Sequence, residues 1–279
     1  MTNHAPVAAL NPNKALWEKG DFTRIAASMR ESGEALVSLL GVKKGMKVLD
    51  LGCGDGTTAV PAAQAGADVL GVDIAANLVA AGNQRAAALG LTNLCFVEGD
   101  ASNLAGIDDN RFDLVVSIFG AMFAPRPFDV AREMVRVTRP GGRIVMGNWI
   151  PGDPTLVAQI LRISAAYTPP PPEGFVSPVR WGVKEDVQDR FEAAGIRPRD
   201  ITCEEATYHF RYPGEATELL GLFRHYYGPT MNAFEAAAKD GRADDLYREL
   251  ATLFESQNQG GLGKTIIPAT YLRVTARKA

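Results

Sequence analysis

The 279-residue sequence is poor in cysteine and histidine, and this shortage excludes two classes of protein. Its three cysteines, Cys53, Cys95 and Cys203, are widely spaced, form no CxxC pair and have no histidine close by. This pattern predicts neither a disulfide framework nor a zinc site. We therefore expect no bound metal and three reduced thiols.

The sequence also lacks a strong charge of either sign and any long apolar run. Its formal net charge is -3 and its isoelectric point is near 5.7, so it has no general attraction for phosphate backbones or anionic membranes. It has no basic start followed by an apolar stretch, and no uncharged apolar run approaches the ~20 residues that span a bilayer. We expect a cytoplasmic protein with no nucleic-acid partner and no membrane insertion.

What the sequence does contain is a regular alternation of short apolar strands with helices. Five strands are predicted at 47–51, 68–73, 94–98, 112–117 and 142–148, with helices at 24–40, 76–89 and 128–137. Strands separated by helices imply parallel units, and continuous apolar strands fit a sheet covered on both faces. Ligands of such sheets bind beyond the carboxyl ends of the strands.

The later part of the chain follows a run of four prolines, Pro169 to Pro172, which favours an extended conformation. Here we predict a helix at 184–194, a strand at 201–212, helices between 215 and 255, and a last strand at 269–277. The two late strands can pair at one edge of the sheet. The prediction is an α/β fold: a Rossmann-like, doubly wound, mostly parallel sheet of seven strands, with a helical cover over the C-terminal ends of the strands.

A glycine loop follows the first strand in the segment Asp50-Leu51-Gly52-Cys53-Gly54-Asp55-Gly56. Its glycines permit a tight turn and close approach of a ligand to the backbone. The third glycine comes one residue earlier than in the dinucleotide-binding pattern G-x-G-x-x-G, and an acid precedes the first glycine. Asp50 would repel a pyrophosphate, but it suits a ligand that carries ammonium and sulfonium charges.

Two further acids end the next two strands. Asp73 closes the second strand, where a carboxylate can accept hydrogen bonds from both hydroxyls of a ribose. Asp100 follows the third strand, where it could accept a proton from the exocyclic amino group of adenine. Either acid alone is typical of a turn or a helix cap, whereas both in register with the glycine loop favour a nucleoside site.

Together these segments resemble the successive motifs of class I methyltransferases, above all the type 11 group that includes the ubiquinone/menaquinone biosynthesis methyltransferases. The resemblance covers residues 48–148 and rests on VLDLGCGDG, GVD, GDA, FDLV and RPGG. It implies S-adenosylmethionine as cofactor. It also implies a Rossmann-like core at 42–150 for that cofactor, an N-terminal helical lid at 1–41, and a substrate cover with the two final strands at 151–279.

The resemblance assigns site residues on both sides of the transferred methyl group. It implies that Gly52 and Gly54 face the methionine part of the cofactor and that Phe119 lies beside the sulfonium. The residues assigned to the cofactor are Trp17, Phe22, Asp50, Gly52, Gly54, Asp73, Ile74, Asp100, Ala101 and Phe119. Those assigned to the acceptor are Met122, Trp149 and Tyr227.

A catalytic residue is optional, because methyl transfer chiefly requires that donor and acceptor be held in line and kept from water. If a general base is used, His225 with its neighbour Tyr226 is the candidate, since histidine titrates near neutral pH. The alternative is that these residues pack a surface helix. His209, in an alternating strand, is expected on a sheet face.

We predict an enzyme that transfers a methyl group from S-adenosylmethionine to an oxygen, nitrogen or carbon of a small metabolite, as a monomer or homodimer. Two alternatives stay open at this point. One is an NAD-dependent oxidoreductase, which the fold allows and the glycine spacing opposes. The other is a non-catalytic protein that binds S-adenosylmethionine.

Overall fold

The computed structural model describes residues 13–279, so residues 1–12 of the expected N-terminal lid lie outside the described part. Its strands form one seven-stranded sheet in the order β3-β2-β1-β4-β5-β7-β6. The pairs among β1 to β5 are parallel, and β7 lies antiparallel between β5 and β6. The predicted fold class is confirmed. The strands are β1 Lys47–Leu51, β2 Asp68–Asp73, β3 Leu94–Glu98, β4 Phe112–Ile118, β5 Thr138–Trp149, β6 Ile201–Tyr212 and β7 Thr265–Arg277.

Helices cover both faces of the sheet and the carboxyl ends of its strands. The central strands are buried on both sides, as their continuous apolar sequences require: Leu49 and Leu114 are fully buried. The helices are α1 Lys14–Glu18, α2 Thr23–Ala26, α3 Arg30–Leu40, α4 Ala59–Gln64, α5 Ala76–Ala88, α6 Pro127–Val137, α7 Leu156–Ala165, α8 Lys184–Ala193, α9 Ala216–Tyr226, α10 Gly228–Lys239 and α11 Ala243–Gln257.

The helix predicted at 24–40 is interrupted. A 3₁₀ turn, Ala27–Met29, separates α2 from α3. At this turn the buried Ser28 hydroxyl donates a hydrogen bond of 2.6 Å to the carbonyl of Ile25. A serine that bonds to the backbone of the preceding turn competes with the helical pattern. The break lets the chain bend over the carboxyl end of the sheet.

The start of β5 also differs from the prediction. The strand predicted at 142–148 begins earlier in the structure, which includes residues 138–141 in β5 as an irregular first section. The register with β4 shifts between Phe112 and Leu114, and Gly141 has a φ of 74°. Gly141 also donates its N–H to the carbonyl of Lys278 at 2.8 Å, which ties this section to the C-terminal end of the described chain.

The strand order reverses between β1 and β4, because β1 continues to β2 on one side while β4 lies on its other side. Such a switch point opens a crevice at the carboxyl ends of the strands. α1, α2 and the 3₁₀ turn lie on one side of this crevice, where the turn packs against β6 and α2 against α9. The fold thus encloses a space between the ends of β1, β2 and β4.

Candidate active site

A cavity opens at the switch point, with about 940 Å³ of space including its open mouth. The glycine loop, the ends of β2 and β4, and residues of the N-terminal segment line it. The lining includes many of the residues that the sequence predicted: Trp17, Phe22, Asp50, Gly52, Gly54, Asp73, Ile74, Ala101 and Phe119.

The glycine loop forms the floor of the cavity and touches the loop after β4. Gly52 has a φ of 68°, in the left-handed region that favours glycine. A Cβ placed on Gly52 would lie 2.6 Å from the Cα of Gly120, and one placed on Gly120 would lie 2.3 Å from the carbonyl oxygen of Gly52. The two backbones are therefore in direct contact, which requires glycine at both positions.

Asp73 is fixed by the backbone around it. One carboxylate oxygen accepts a hydrogen bond of 2.8 Å from the N–H of Gly54, and the other accepts one of 2.9 Å from Ala75. Burial raises the pKa of Asp73, and these backbone donors oppose that rise. The carboxylate is thus held in one orientation at the cavity wall, with lone pairs left for hydroxyl donors.

Asp50 is more deeply buried than Asp73 and is less well satisfied. Its carboxyl group is 1% exposed, and its Oδ2 atom has no hydrogen-bond partner among residues 13–279. Burial raises its pKa to about 7, a bond from the backbone of Ala59 opposes the rise, and the charge of Asp73 adds to it. A buried carboxyl oxygen without a partner, on the wall of a cavity, fits a cationic ligand group. The site therefore has the chemistry that the ammonium and sulfonium of S-adenosylmethionine require.

The sequence did not predict that the glycine loop is tied to the N-terminal segment. Arg30, the first residue of α3, forms an ion pair with Asp55 and donates a hydrogen bond of 3.0 Å to the hydroxyl of Thr57. Asp55 and Thr57 both line the cavity. The sequence shows an acid in the loop, Asp55, which could have indicated a basic partner. Only the folded structure shows that this partner is Arg30.

α1 crosses the mouth of the cavity. Its Trp17 ring contacts Phe123 edge-on at 4.9 Å and Phe22 at 5.8 Å, measured between ring centroids. Glu18 accepts a hydrogen bond of 3.1 Å from the N–H of Ala76, at the start of α5. α1 has no fully buried residue, and side-chain contacts such as these, together with an ion pair between Lys14 and Glu98, hold it in place.

Phe119 directly follows β4 and has an unusual backbone conformation. Its φ is 64°, which is uncommon for a residue other than glycine and is frequent at functional sites. Its ring stacks on Trp149 with centroids 3.6 Å apart and planes 9° apart. This stack holds Phe119 at the cavity wall.

The three residues assigned to the acceptor are not among those that line the cavity. Trp149, Tyr227 and Met122 are buried behind it. Trp149 supports Phe119 from behind, and Tyr227 packs against Trp17 at 5.9 Å. Met122 lies in the 3₁₀ turn Ala121–Phe123, where successive residues point in different directions, so that both its neighbours face the cavity while Met122 faces the core.

The carboxylate of Asp100 also does not line the cavity. One of its oxygens accepts hydrogen bonds from the N–H and the hydroxyl of Ser102, at 2.8 and 2.7 Å, and the other lies 3.9 Å from Arg126. Asp100 therefore caps its own turn, and its neighbours Gly99 and Ala101 reach the cavity instead. We therefore do not propose a contact between the Asp100 carboxylate and the adenine.

His225 and Tyr226 lie away from the cavity as well. α9 buries Leu219, Leu220 and Phe223, and His225, two residues beyond Phe223, is on the opposite face and exposed. The ring of Tyr226 is covered by the guanidinium of Arg24 at 5.8 Å. A general base at His225 is therefore not proposed.

Tyr208 is one of several lining residues that the sequence did not predict. Tyr208, in the middle of β6, is 1% exposed and reaches the cavity beside Phe119, with ring centroids 5.2 Å apart. Its neighbour His209 is half-buried and lines a separate outer groove between α3 and β6. The alternating pattern of this strand indicated which residues point inward, but not that the strand extends to the cavity.

Residues 13–279 contain no group of three or more His, Cys, Asp or Glu side chains placed to hold a metal ion. None of the helices in this part of the chain is long and apolar enough to cross a membrane.

Comparison with known proteins places the core in a family. A family model described as a methyltransferase domain, type 11, matches residues 49–146. An uncharacterized protein of Mycobacterium tuberculosis is 34% identical over 247 residues, which cover 85% of this chain and 86% of that protein. The demethylmenaquinone methyltransferase of Paenarthrobacter aurescens is 39% identical over 114 residues, 41% of this chain and 43% of that enzyme.

Solved structures share the fold. A putative methyltransferase from Bacillus halodurans superposes with a TM-score of 0.57 at 17% identity, covering 88% of this chain and 99% of that one. A phosphoethanolamine N-methyltransferase of Haemonchus contortus gives 0.60 at 16% identity, covering 98% of this chain and 61% of that one. With the sequence relatives, the glycine loop and the paired acids, these findings lead to one conclusion. The chain belongs to the type 11 group of class I S-adenosylmethionine-dependent methyltransferases.

Proposed function

We propose that the cavity at the ends of β1, β2 and β4 binds S-adenosylmethionine and a small, partly apolar methyl acceptor side by side. The observation that carries this proposal is the buried Asp50 oxygen without a partner, next to the fixed carboxylate of Asp73. Two buried acids on one cavity wall favour a ligand with positive charge and hydroxyl donors. The pyrophosphate of a dinucleotide would meet repulsion there, so the oxidoreductase alternative is set aside.

In this proposal each lining residue has a defined task. Asp50 pairs with the ammonium of the cofactor, Gly52 and Gly54 let its methionine part approach the backbone, and Asp73 accepts hydrogen bonds from the ribose. Ile74 and Ala101 enclose the nucleoside. Trp17, Phe22 and Phe119 supply aromatic faces, which attract cations such as a sulfonium.

When bound, the cofactor supplies a methyl group on a positively charged sulfur, which is already activated for displacement. The protein then has to orient the acceptor and exclude water. α1 and its Trp17 cover the mouth, and the Phe119 side chain, held by Trp149, gives the acceptor a rigid wall. The titratable side chains of the described lining are Asp50, Asp55, Asp73, Cys53 and Tyr208. None is a histidine, so we propose transfer by orientation without a dedicated histidine base.

The lining favours a small acceptor with an apolar part. Met29, Ile118, Phe119 and Phe123 are apolar residues of the cavity lining. The match to the demethylmenaquinone methyltransferase of Paenarthrobacter aurescens spans 43% of that enzyme, so its acceptor is not transferred to this chain. A cytoplasmic location, the absence of a nucleic-acid partner, a monomeric or homodimeric state and the three chain sections stay predictions.

Calorimetric titration with S-adenosylhomocysteine tests the cofactor site. We expect binding at micromolar level by the unaltered protein and at least a tenfold loss in Asp73→Ala, which removes the ribose acceptor and releases Gly54. Asp68→Ala is the matched control, because Asp68 lies exposed at the other end of the same strand, and its affinity should stay within twofold. Absence of binding by the unaltered protein would refute the proposal.

A further inference from the structure

Tyr208 has a polar atom that the fold does not use. Its hydroxyl is buried and has no hydrogen-bond partner among the residues that the structure describes. Buried tyrosine hydroxyls usually find a partner, because the loss of hydration is otherwise uncompensated. A hydroxyl left in this state at a cavity wall indicates a partner that arrives with a ligand.

Tyr208 enters the cavity from a different edge of the sheet than the ribose acid Asp73 does. It lies on β6, opposite Ala269 of β7, at the far edge of the sheet from β2 and Asp73. Its ring meets Phe119 edge-on at 5.2 Å and Tyr271 at 6.1 Å, and these contacts fix the ring plane. The ring is thus held in a rigid aromatic cluster next to Phe119, with its hydroxyl near enough to Asp50 for the two charges to interact.

The ionisation of Tyr208 defines what its hydroxyl can do. Burial raises the pKa of Tyr208, and the nearby charges of Tyr271 and Asp50 raise it further. The side chain is therefore a phenol at neutral pH, which can donate a hydrogen bond but does not act as a general base. Its partner has to offer a lone pair.

We infer that Tyr208 positions the methyl acceptor by donating a hydrogen bond to an oxygen or nitrogen lone pair next to the atom that receives the methyl group. This inference rests on the proposed function, and it narrows the acceptor to a class. The acceptor has an apolar part that packs against Phe119 and, beside it, a hydrogen-bond-accepting atom such as a carbonyl oxygen.

Two probes of equal shape test this inference with the protein saturated by S-adenosylhomocysteine. Acetophenone has a carbonyl oxygen where α-methylstyrene has a methylene group, and ligand-detected NMR titration gives the dissociation constant of each. We expect the unaltered protein to bind acetophenone about fivefold more tightly, the worth of one ordinary hydrogen bond. Tyr208→Phe should abolish this preference while it leaves the affinity for α-methylstyrene unchanged.

Tyr212→Phe is the matched control, because Tyr212 lies on the same strand, half-buried, and does not line the cavity. It should keep the fivefold preference. A second readout separates positioning from a structural role. Removal of a hydroxyl without a partner leaves the melting temperature of Tyr208→Phe equal to or above that of the unaltered protein, whereas loss of a structural hydrogen bond would lower it.

The inference is overturned if the unaltered complex shows no preference for acetophenone, if Tyr208→Phe keeps the preference, or if that variant melts lower. Calorimetry with S-adenosylhomocysteine alone distinguishes this failure from a failure of the proposed function. If the unaltered protein binds S-adenosylhomocysteine but shows no preference between the probes, only the role of Tyr208 is wrong. If it does not bind S-adenosylhomocysteine, the cofactor site itself is wrong.

Discussion

Asp50→Asn should separate the stability of this enzyme from its affinity for the cofactor. The carboxyl group of Asp50 is buried, and its pKa rises from the ordinary 3.8 to about 7. Above pH 7 the folded protein therefore holds a buried negative charge that the unfolded chain keeps in water. A shift of about three pKa units at ~1.4 kcal/mol each corresponds to roughly 4 kcal/mol. This value is an upper bound on the gain in the free energy of unfolding that Asp50→Asn can produce.

The sign of this effect follows from proton linkage. The folded state binds a proton on Asp50 more tightly than the unfolded state does, so this group makes the protein less stable as pH rises from about 4 to about 7. Above pH 7 the penalty is constant. Asparagine is neutral at every pH and keeps an oxygen for the bond from Ala59, so the variant should be more stable than the unaltered protein at pH 8 and similar to it at pH 4.

Cofactor binding should respond in the opposite direction. A cationic group binds the ionised form of Asp50, so affinity for S-adenosylhomocysteine in the unaltered protein should fall up to tenfold per pH unit below 7. In Asp50→Asn the affinity should be at least tenfold weaker at pH 8, and this dependence should disappear. Urea unfolding and calorimetric titration between pH 5 and 8 measure both quantities.

Asp68→Asn serves as control, because Asp68 is exposed at the start of β2. It should follow the unaltered protein in both measurements. The reasoning is refuted if Asp50→Asn is less stable than the unaltered protein at pH 8, or if its affinity for the ligand keeps the same slope with pH.

Two further predictions concern the contacts around the cavity. Gly120→Ala places a Cβ 2.3 Å from the carbonyl oxygen of Gly52, and should lower the free energy of unfolding by about 2–4 kcal/mol in urea titrations. Gly221→Ala on α9, where the Cβ meets nothing within 4 Å, should leave that free energy equal or higher; equal losses in the two variants would contradict the packing argument. Trp17→Ala removes the aromatic anchor of α1 and should speed dissociation of S-adenosylhomocysteine about tenfold in stopped-flow measurements, because a buried aromatic contact is worth ~1 kcal/mol or more. Leu39→Ala, at a side chain 64% exposed on α3, should leave the rate unchanged, and an unchanged rate in Trp17→Ala would mean that α1 does not retain the ligand.

The sheet was predictable because its strands carry their own signal. The bounds of β1, β2, β3 and β6 coincide with those predicted, since central parallel strands are continuous apolar runs and β6 alternates. The break at Ser28 was not predictable, because its hydroxyl bonds to the backbone only where the turn is buried against β6. A helical pattern in the sequence contains no information about that contact.

The cofactor side of the site was predictable for a related reason. β1 and β2 are neighbours in the sheet and successive in the chain, so the acids that end them, Asp50 and Asp73, come together without any long-range information. Asp100 follows the next strand, β3, but its carboxylate accepts a hydrogen bond from Ser102, two residues away. Local hydrogen bonds of that kind depend on the geometry of the loop. The resemblance to methyltransferase motifs identified the position of Asp100, but it therefore did not show which atoms of this segment face the ligand.

The acceptor side was not predictable, because it depends on the edge of the sheet. Tyr208 comes from β6, which reaches the cavity only because β7 inserts between it and β5 and because the strand is long. Met122 lies between two residues that line the cavity, Ala121 and Phe123, but its own side chain is buried in the core. Proximity along the chain does not tell on which side of a turn a side chain lies.

The stack of Phe119 on Trp149 gives the enzyme an internal optical reporter. The indole of Trp149 is 3% exposed, and one face of it is covered by the ring that forms the cavity wall. Indole emission changes when a neighbouring ring moves or when the local field changes. Occupation of the acceptor side can therefore be followed by fluorescence without a label and without knowledge of the acceptor, which makes this stack a practical route to finding that molecule.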